Sequence, residues 1–366
     1  MKRLMHFFAV LLLSYVVNAL PYDADNHADR RDLAASSDAE AANVIVWVDQ
    51  DGNVLASHAA DNTQAPTATG NNSPTNLPPL LPVLDDDVPP LLSPALPVPE
   101  LNNNLQTGND RRFGISYSPY NDDGTCKTQD QVNKDFDRLT QYAFVRIYGI
   151  DCDQTKKATT AARQRNLKVF AGVFDLQNFP ASLDYITGAA AGDWSVFHTI
   201  TIGNELVNKG QNSVAEVVNA VNTARKKLRA AGYKGSVVTA DTFSVMLQHP
   251  ELCVVSDYCA ANCHAFFDAN NTPEQAGQYV KNQATQISKA ARGKKTLITE
   301  SGWPHAGQPN GKAVPSPENQ QTALVSLKQT FSGSNQLVLF TAFDDLWKQD
   351  SSGTYGAEKY WGIQND

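Results

Sequence analysis

From Phe113 onward, strand-like and helix-like segments alternate, and this limits the possible folds more than any other feature of the chain. The strand candidates are 113–118, 144–148, 168–174, 199–204, 236–240, 258–266, 296–299 and 337–342. The segments between them are amphipathic: within 214–231, Val217, Val218, Val221, Ala224, Leu228 and Ala231 recur at helical spacing. Thr128 followed by Gln131 forms a capping-box start for the first helix, and Gly232 is placed to stop the fourth. About eight strand–helix units over residues 113–366 fit the α/β class as a (β/α)8 TIM barrel, typically about 250 residues long. An open doubly wound sheet competes, but no strand candidate runs into the Gly-rich turn that such a sheet uses for phosphate. A barrel collects its chemistry at the C-terminal ends of its strands.

Residues 1–112 read differently. Lys2 and Arg3 precede an apolar run that ends in Val17-Asn18-Ala19, the pattern of a secretory signal peptide over 1–19. The run is short for a membrane span, which needs about 20 apolar residues. Residues 20–112 carry 14 acidic and 4 basic residues and 11 of the 19 prolines, whereas 113–366 carries 24 charges of each sign. The net charge of −8 therefore belongs to a proline-rich extension, which is expected to be largely disordered. One island, 44–54, has a strand-like run and an Asp-Gly turn signal. The extension's basic residues form two pairs, Arg30-Arg31 and Arg111-Arg112, which suit a dibasic-specific processing protease. The absence of a basic stripe argues against nucleic-acid binding.

Two strand candidates end in a carboxylate. The fourth runs Ile202-Gly203-Asn204-Glu205 and the seventh Thr299-Glu300-Ser301-Gly302-Trp303-Pro304. A carboxylate ending an apolar strand is costly to bury unless it is paired or used. Two of them across a barrel mouth suit glycoside hydrolysis, in which one protonates the leaving oxygen while the other attacks the anomeric carbon or activates water.

These two segments resemble the catalytic signatures of family 17 glycoside hydrolases, the β-1,3-glucanase family. Within it the chain resembles the fungal cell-wall branch. Supporting segments are Phe113-Gly114-Ile115-Ser116-Tyr117, Arg146-Ile147-Tyr148-Gly149, Asn204-Glu205-Leu206-Val207-Asn208, Ala265-Phe266-Phe267-Asp268 and Glu358-Lys359-Tyr360-Trp361-Gly362, which together span nearly all of 113–366. The resemblance implies a barrel, β-1,3-glucan as substrate and retention of anomeric configuration. It further implies Glu205 as acid/base and Glu300 as nucleophile, with no cofactor and no metal. Retention calls for one carboxyl that keeps its proton and one that stays ionised.

Around the pair, Asn204 is placed to donate to the sugar 2-OH. Tyr117, Tyr148, Phe266, Trp303 and Trp347 fall at or just past strand ends, where aromatic faces suit sugar rings. Tyr148 and Trp303 are the leading candidates. Alternation along the sixth strand puts Asn262, His264 and Phe266 on one face, which makes His264 a site-lining residue.

Of five cysteines, Cys126 and Cys152 follow neighbouring strands and are placed to bridge. Cys253 is near Cys259, which leaves Cys263 over, although spacing alone leaves the connectivity open. The run Cys259-x-x-x-Cys263-His264 has a metal-like spacing, but alternation on a strand turns His264 away from the two cysteines. Asn71-Asn72-Ser73 and Asn270-Asn271-Thr272 match the glycosylation acceptor pattern, and each is followed by proline.

The expectation is a secreted, extracellular, cell-wall glycosidase: a monomer that is not membrane-bound once the signal is cleaved. Its rivals are a β-1,3-glucan transglycosylase using the same carboxylates, and an adhesin that binds glucan without turning it over.

Overall fold

The computed structural model describes residues 113–334 and 336–364, together with the backbone of two strands in the extension. These two, β1 (Val44–Val48) and β2 (Val54–Ala59), pair antiparallel as the 44–54 island suggested. They belong to a compact unit separate from the body. The signal peptide, both dibasic pairs and the proline-rich segment lie outside the described residues.

The body is a closed parallel barrel of eight strands. They are β3 (Gly114–Ser116), β4 (Phe144–Arg146), β5 (Lys168–Val173), β6 (Phe197–Asn204), β7 (Ser236–Thr242), β8 (Cys259–Asn262), β9 (Thr296–Ser301) and β10 (Leu337–Leu339). Closure comes from β10 pairing with β3, Val338 opposite Gly114 and Leu339 opposite Ile115. All eight strands coincide with sequence candidates, so the barrel reading holds.

The helices are α1 (Gln129–Asp137), α2 (Gln154–Gln164), α3 (Leu183–Ala190), α4 (Val214–Ala230), α5 (Phe243–Gln248), α6 (Pro250–Val255), α7 (Ala276–Ala290) and α8 (Pro317–Thr330). Capping boxes at Thr128/Gln131 and Ser213/Glu216 satisfy otherwise unpaired amides where α1 and α4 begin. After α4, Gly232 takes φ +94°, the left-handed turn that stops a helix at little steric cost.

Strand alternation divides the core in two. Phe144, Phe170, Val238, Ala240, Ala260, Leu297 and Val338 fill one cluster, while Val145, Val169 and Ala171 pack into the larger one that the helices cover. Because Phe144 belongs to the first cluster and Val145 to the second, Arg146 returns to the side of Phe144, one step nearer the C-terminal end.

Bridges join Cys126 to Cys152 and Cys253 to Cys259, with Cα separations of 5.3 and 4.5 Å, and Cys263 is free and buried. Cys259 is thereby committed to a disulfide, so the metal-like run cannot present two thiolates.

The sixth barrel strand, β8, is shorter than the sequence suggested. It ends at Asn262, His264 continues extended, and Ala265–Phe267 is a 3-10 turn. The turn breaks the alternation that would have put Phe266 beside Asn262 and His264.

Candidate active site

The ends of β4, β6, β8 and β9 meet around one buried guanidinium. Arg146 Nη1 donates to Glu300 Oε1 at 2.9 Å, to the Thr299 carbonyl at 2.7 Å and to Asn262 Oδ1 at 3.2 Å. Its Nη2 donates to Asn204 Oδ1 at 2.8 Å, and its Cζ stands 4.5 Å from the centre of the Tyr148 ring. A cation at the end of an apolar strand is tolerable because every contact here is an acceptor or a π face.

Asn262 links the two carboxylates. Its Nδ2 donates to Glu205 Oε1 at 2.9 Å and to Asn204 Oδ1 at 3.2 Å. Its Oδ1 accepts from Arg146 and from Thr299 Oγ1, the latter at 2.8 Å. Glu205 and Glu300 are both buried, yet each keeps a small exposed edge (8% and 6%).

The local backbone aims Glu205. Gly203 has φ +83° and Glu205 itself has φ +60°, so the chain turns sharply where β6 ends. Left-handed geometry is unusual for a residue with a Cβ and collects at functional sites. The turn is pinned from β7. Asp241, 2% exposed, accepts from the Val207 amide at 3.0 Å and the Thr242 amide at 2.8 Å. The Glu205 amide donates to the Ala240 carbonyl at 2.9 Å.

The two carboxylates have different surroundings. Burial works against the charge of Glu300, but Arg146, His264 and Tyr148 outweigh it and hold the carboxyl down to about 2. His264 Nε2 is 3.3 Å from Glu300 Oε2, and its ring is enclosed by Phe267, Phe340 and Trp361. Glu205 has Asn262 on one oxygen and Lys209 Nζ 3.8 Å from the other. Beside it, burial and the Glu205 charge push Asp241 up to about 7. One carboxylate is thus locked ionised, and the other sits next to a second acid.

Of the residues named from the sequence, Glu205, Glu300, Asn204, Tyr148 and His264 come together here. Tyr148 is partly exposed, and its hydroxyl donates to Ser116 Oγ at 2.9 Å. Trp347 is also partly exposed; it packs 4.7 Å from Tyr120 and donates to Asp345 at 3.1 Å. Three aromatics expected to meet sugar are core residues. Trp303 is 0% exposed, with Nε1 donating to the Val314 carbonyl at 3.0 Å. Phe266 is 0% exposed against the Trp303 and Trp361 rings. Tyr117 is 1% exposed, with its hydroxyl on Asp135 at 2.6 Å. None of the three offers a ring face to a ligand.

Arg146, Asn262 and Asp241 were not singled out as site residues from the sequence. A signal for Arg146 existed, since a lone cation inside Phe144-Val145-Arg146-Ile147 calls for buried partners. A further charged group lies within electrostatic reach of Glu300. Lys348 Nζ lies 3.1 Å from Asp345 and 3.9 Å from Glu358, over the Phe340 ring. Burial opposes its charge, but the two carboxylates outweigh it and push the ammonium up to about 12.

A family model described as the BtgE/BtgC glycoside hydrolase domain matches residues 114–362. The chain is 44% identical over 256 residues to the cell surface mannoprotein MP65 of Candida albicans, covering 69% of this chain and 66% of that one. It is 45% identical over 253 residues to the probable family 17 glucosidase SCW10 of Saccharomyces cerevisiae, covering 68% and 64%. The probable beta-glucosidase btgE of Aspergillus fumigatus is 34% identical over 256 residues, covering 69% and 45%. The chain therefore spans about two thirds or less of these relatives. Among solved structures, the family 17 β-1,3-glucanosyltransferase of Rhizomucor miehei superimposes with a TM-score of 0.60 at 23% identity, covering 69% of this chain and 93% of that one. At that identity the likeness shows the fold alone.

Proposed function

Since the chain belongs to the BtgE/BtgC glycoside hydrolase family, within family 17, we propose that it is a cell-wall enzyme cleaving β-1,3-glucan with retention of configuration. The observation that carries this reading is the unequal wiring of two buried carboxylates at one barrel mouth. Glu300, held charged by Arg146 and His264, attacks the anomeric carbon. Glu205, aimed by its left-handed turn and by Asn262, gives a proton to the departing oxygen and then takes one from water. Asn204 offers its amide to the 2-OH, and Tyr148 offers a ring edge beside Glu300. The substrate class agrees with the solved Rhizomucor miehei active-site mutant in complex with laminaritriose, and the wall location with a relative named a cell surface mannoprotein. A neutral body suits an uncharged polymer.

The test is turnover of laminari-oligosaccharides by wild type, Glu205→Gln and Glu300→Gln, with the anomer of the first product read by NMR. Rapid β-anomer release by wild type and near-complete loss in both variants support the reading. Equal inactivity of all three with glucan still bound would reduce the protein to a binding module, and α-anomer release would overturn retention.

A second reading, transfer of the glycosyl group to another glucan, has one observation in its favour. Tyr120 and Trp347 form a partly exposed aromatic pair suited to holding an acceptor sugar. Products longer than the starting oligosaccharide would establish transfer.

A further inference from the structure

A pocket of about 320 Å³ opens between the start of α2 and the length of α3 from Asp184 to Ala189, and it shares no residue with the site around Arg146. Its size lies at the low end of the ~300–1,000 Å³ range of ligand pockets. Ile150, Asp153, Lys156, Asp184, Tyr185 and Gly188 supply most of its wall.

The chemistry of the wall narrows the ligand. Tyr185 is 55% exposed and offers a ring to solvent, unlike the buried Tyr117 and Tyr233. Ile150 adds a partly buried apolar surface. A Cβ built on Gly188 meets nothing within 4 Å, so the floor beside Tyr185 is open. Two exposed carboxylates, Asp153 and Asp184, stand on the rim, and Lys227 holds Asp184 in place at 2.7 Å. Lys156 adds an exposed ammonium donor to the same wall. An aromatic face, acceptor carboxylates and an ammonium donor together suit a neutral polyol, whose hydroxyls both donate and accept.

From this juxtaposition of Tyr185, Lys156 and the two aspartates around an open pocket, we propose a second glucan-binding site. It takes one glucosyl unit of a β-1,3-glucan chain and tethers the polymer on the flank of the catalytic barrel. The substrate class rests on the function proposed above. The binding site itself is additional to it.

Two variants test the site in the full chain. Tyr185→Ala removes the ring. Gly188→Trp fills the pocket at a helical position with open space, where replacing glycine also favours the helix. Each is assayed for co-sedimentation with particulate β-1,3-glucan and for turnover of soluble laminarihexaose. The expected result is roughly three- to tenfold weaker binding to particles with hexaose turnover within twofold of wild type. Unchanged particle binding in both variants would overturn the second site. So would a hexaose defect as large as the particle defect, because the pocket would then be part of the catalytic cleft. Equal loss of binding to a β-1,4-linked polymer would overturn the glucan assignment. Absence of β-1,3-glucan turnover by wild type would be a failure of the proposed function, distinct from these outcomes.

Discussion

Arg146 Nη1 lies 2.9 Å from Glu300 Oε1, with side-chain exposures of 0% and 8%, so the ion pair is almost fully withdrawn from water. Withdrawn pairs are costly to break because the surviving charge has nothing to replace its partner. Arg146→Leu should lower unfolding stability by about 3–5 kcal/mol, measured by urea denaturation. Arg146→Lys keeps the charge but not the two-pronged donor geometry that reaches Glu300 and Asn204 together. It should fold with a smaller loss and still show a reduced kcat. Wild-type stability in the leucine variant would remove the pair from the structural account.

Glu300 also sets an acid limit. Its carboxyl is about 2 in the folded protein against an ordinary 4.5, so the unfolded chain binds a proton first as pH falls. The stability it contributes is fully present above about 4.5 and is lost on the way down to about 2, at no more than about 1.4 kcal/mol per pH unit. Denaturation midpoints across that window should fall more steeply for wild type than for Glu300→Gln. Parallel curves would contradict the assignment.

Asp241 carries the opposite sign. Burial and the neighbouring Glu205 charge raise it from 3.8 to about 7, so the folded state retains a proton that the unfolded state releases. Its contribution makes stability decline as pH rises from about 3.8 through 7. His198, stacked 3.9 Å from Phe144 and pushed down to about 4 mainly by burial, works the other way between about 4 and 6.5. The informative quantity is therefore the difference between wild type and Asp241→Asn, whose stability should decline less over that range. Because the carboxylate also pins the Val207 amide, the variant should lose kcat more than it gains KM. An identical pH profile of kcat/KM would reduce Asp241 to a packing role.

The Cys126–Cys152 bridge ties the loops after β3 and β4 across 26 residues of sequence. A closed loop of that length corresponds to about 2–4 kcal/mol. Cys126→Ser with Cys152→Ser should lower stability by that amount. Cys263 is buried, and burial pushes its thiol well up, so a thiol reagent should find no fast-reacting group in the native protein and one after denaturation. Rapid native labelling would contradict that burial.

The reading of short strand-like segments between amphipathic ones was sufficient to identify all eight barrel strands because each is short and buried. It failed where the period changed: beyond Asn262 the backbone turns, and Phe266 drops into the aromatic pack around Trp303 and Trp361. Glu205 and Glu300 were legible because acidic residues closing apolar strands stand out. Trp303 misled for a related reason. A tryptophan beside a carboxylate in sequence need not face the same space, and here Ser301 and Gly302 intervene; a Cβ on Gly302 would collide with the Phe340 carbonyl. Arg146, Asn262 and Asp241 come together as site residues only when five separate strands are assembled. Their partners are distant in sequence: Arg146 and Glu300 are 154 residues apart.

Pairing of Leu337–Leu339 with Gly114–Ile115 sets a timetable. Until the final strand has emerged from the ribosome, the first and seventh barrel strands have no neighbour on one side. Phe340 and Trp361, which wall in His264, are later still in the chain. The candidate active site is thus among the last parts of the molecule to be completed, and a growing chain carries Glu205 and Glu300 before the walls around them exist.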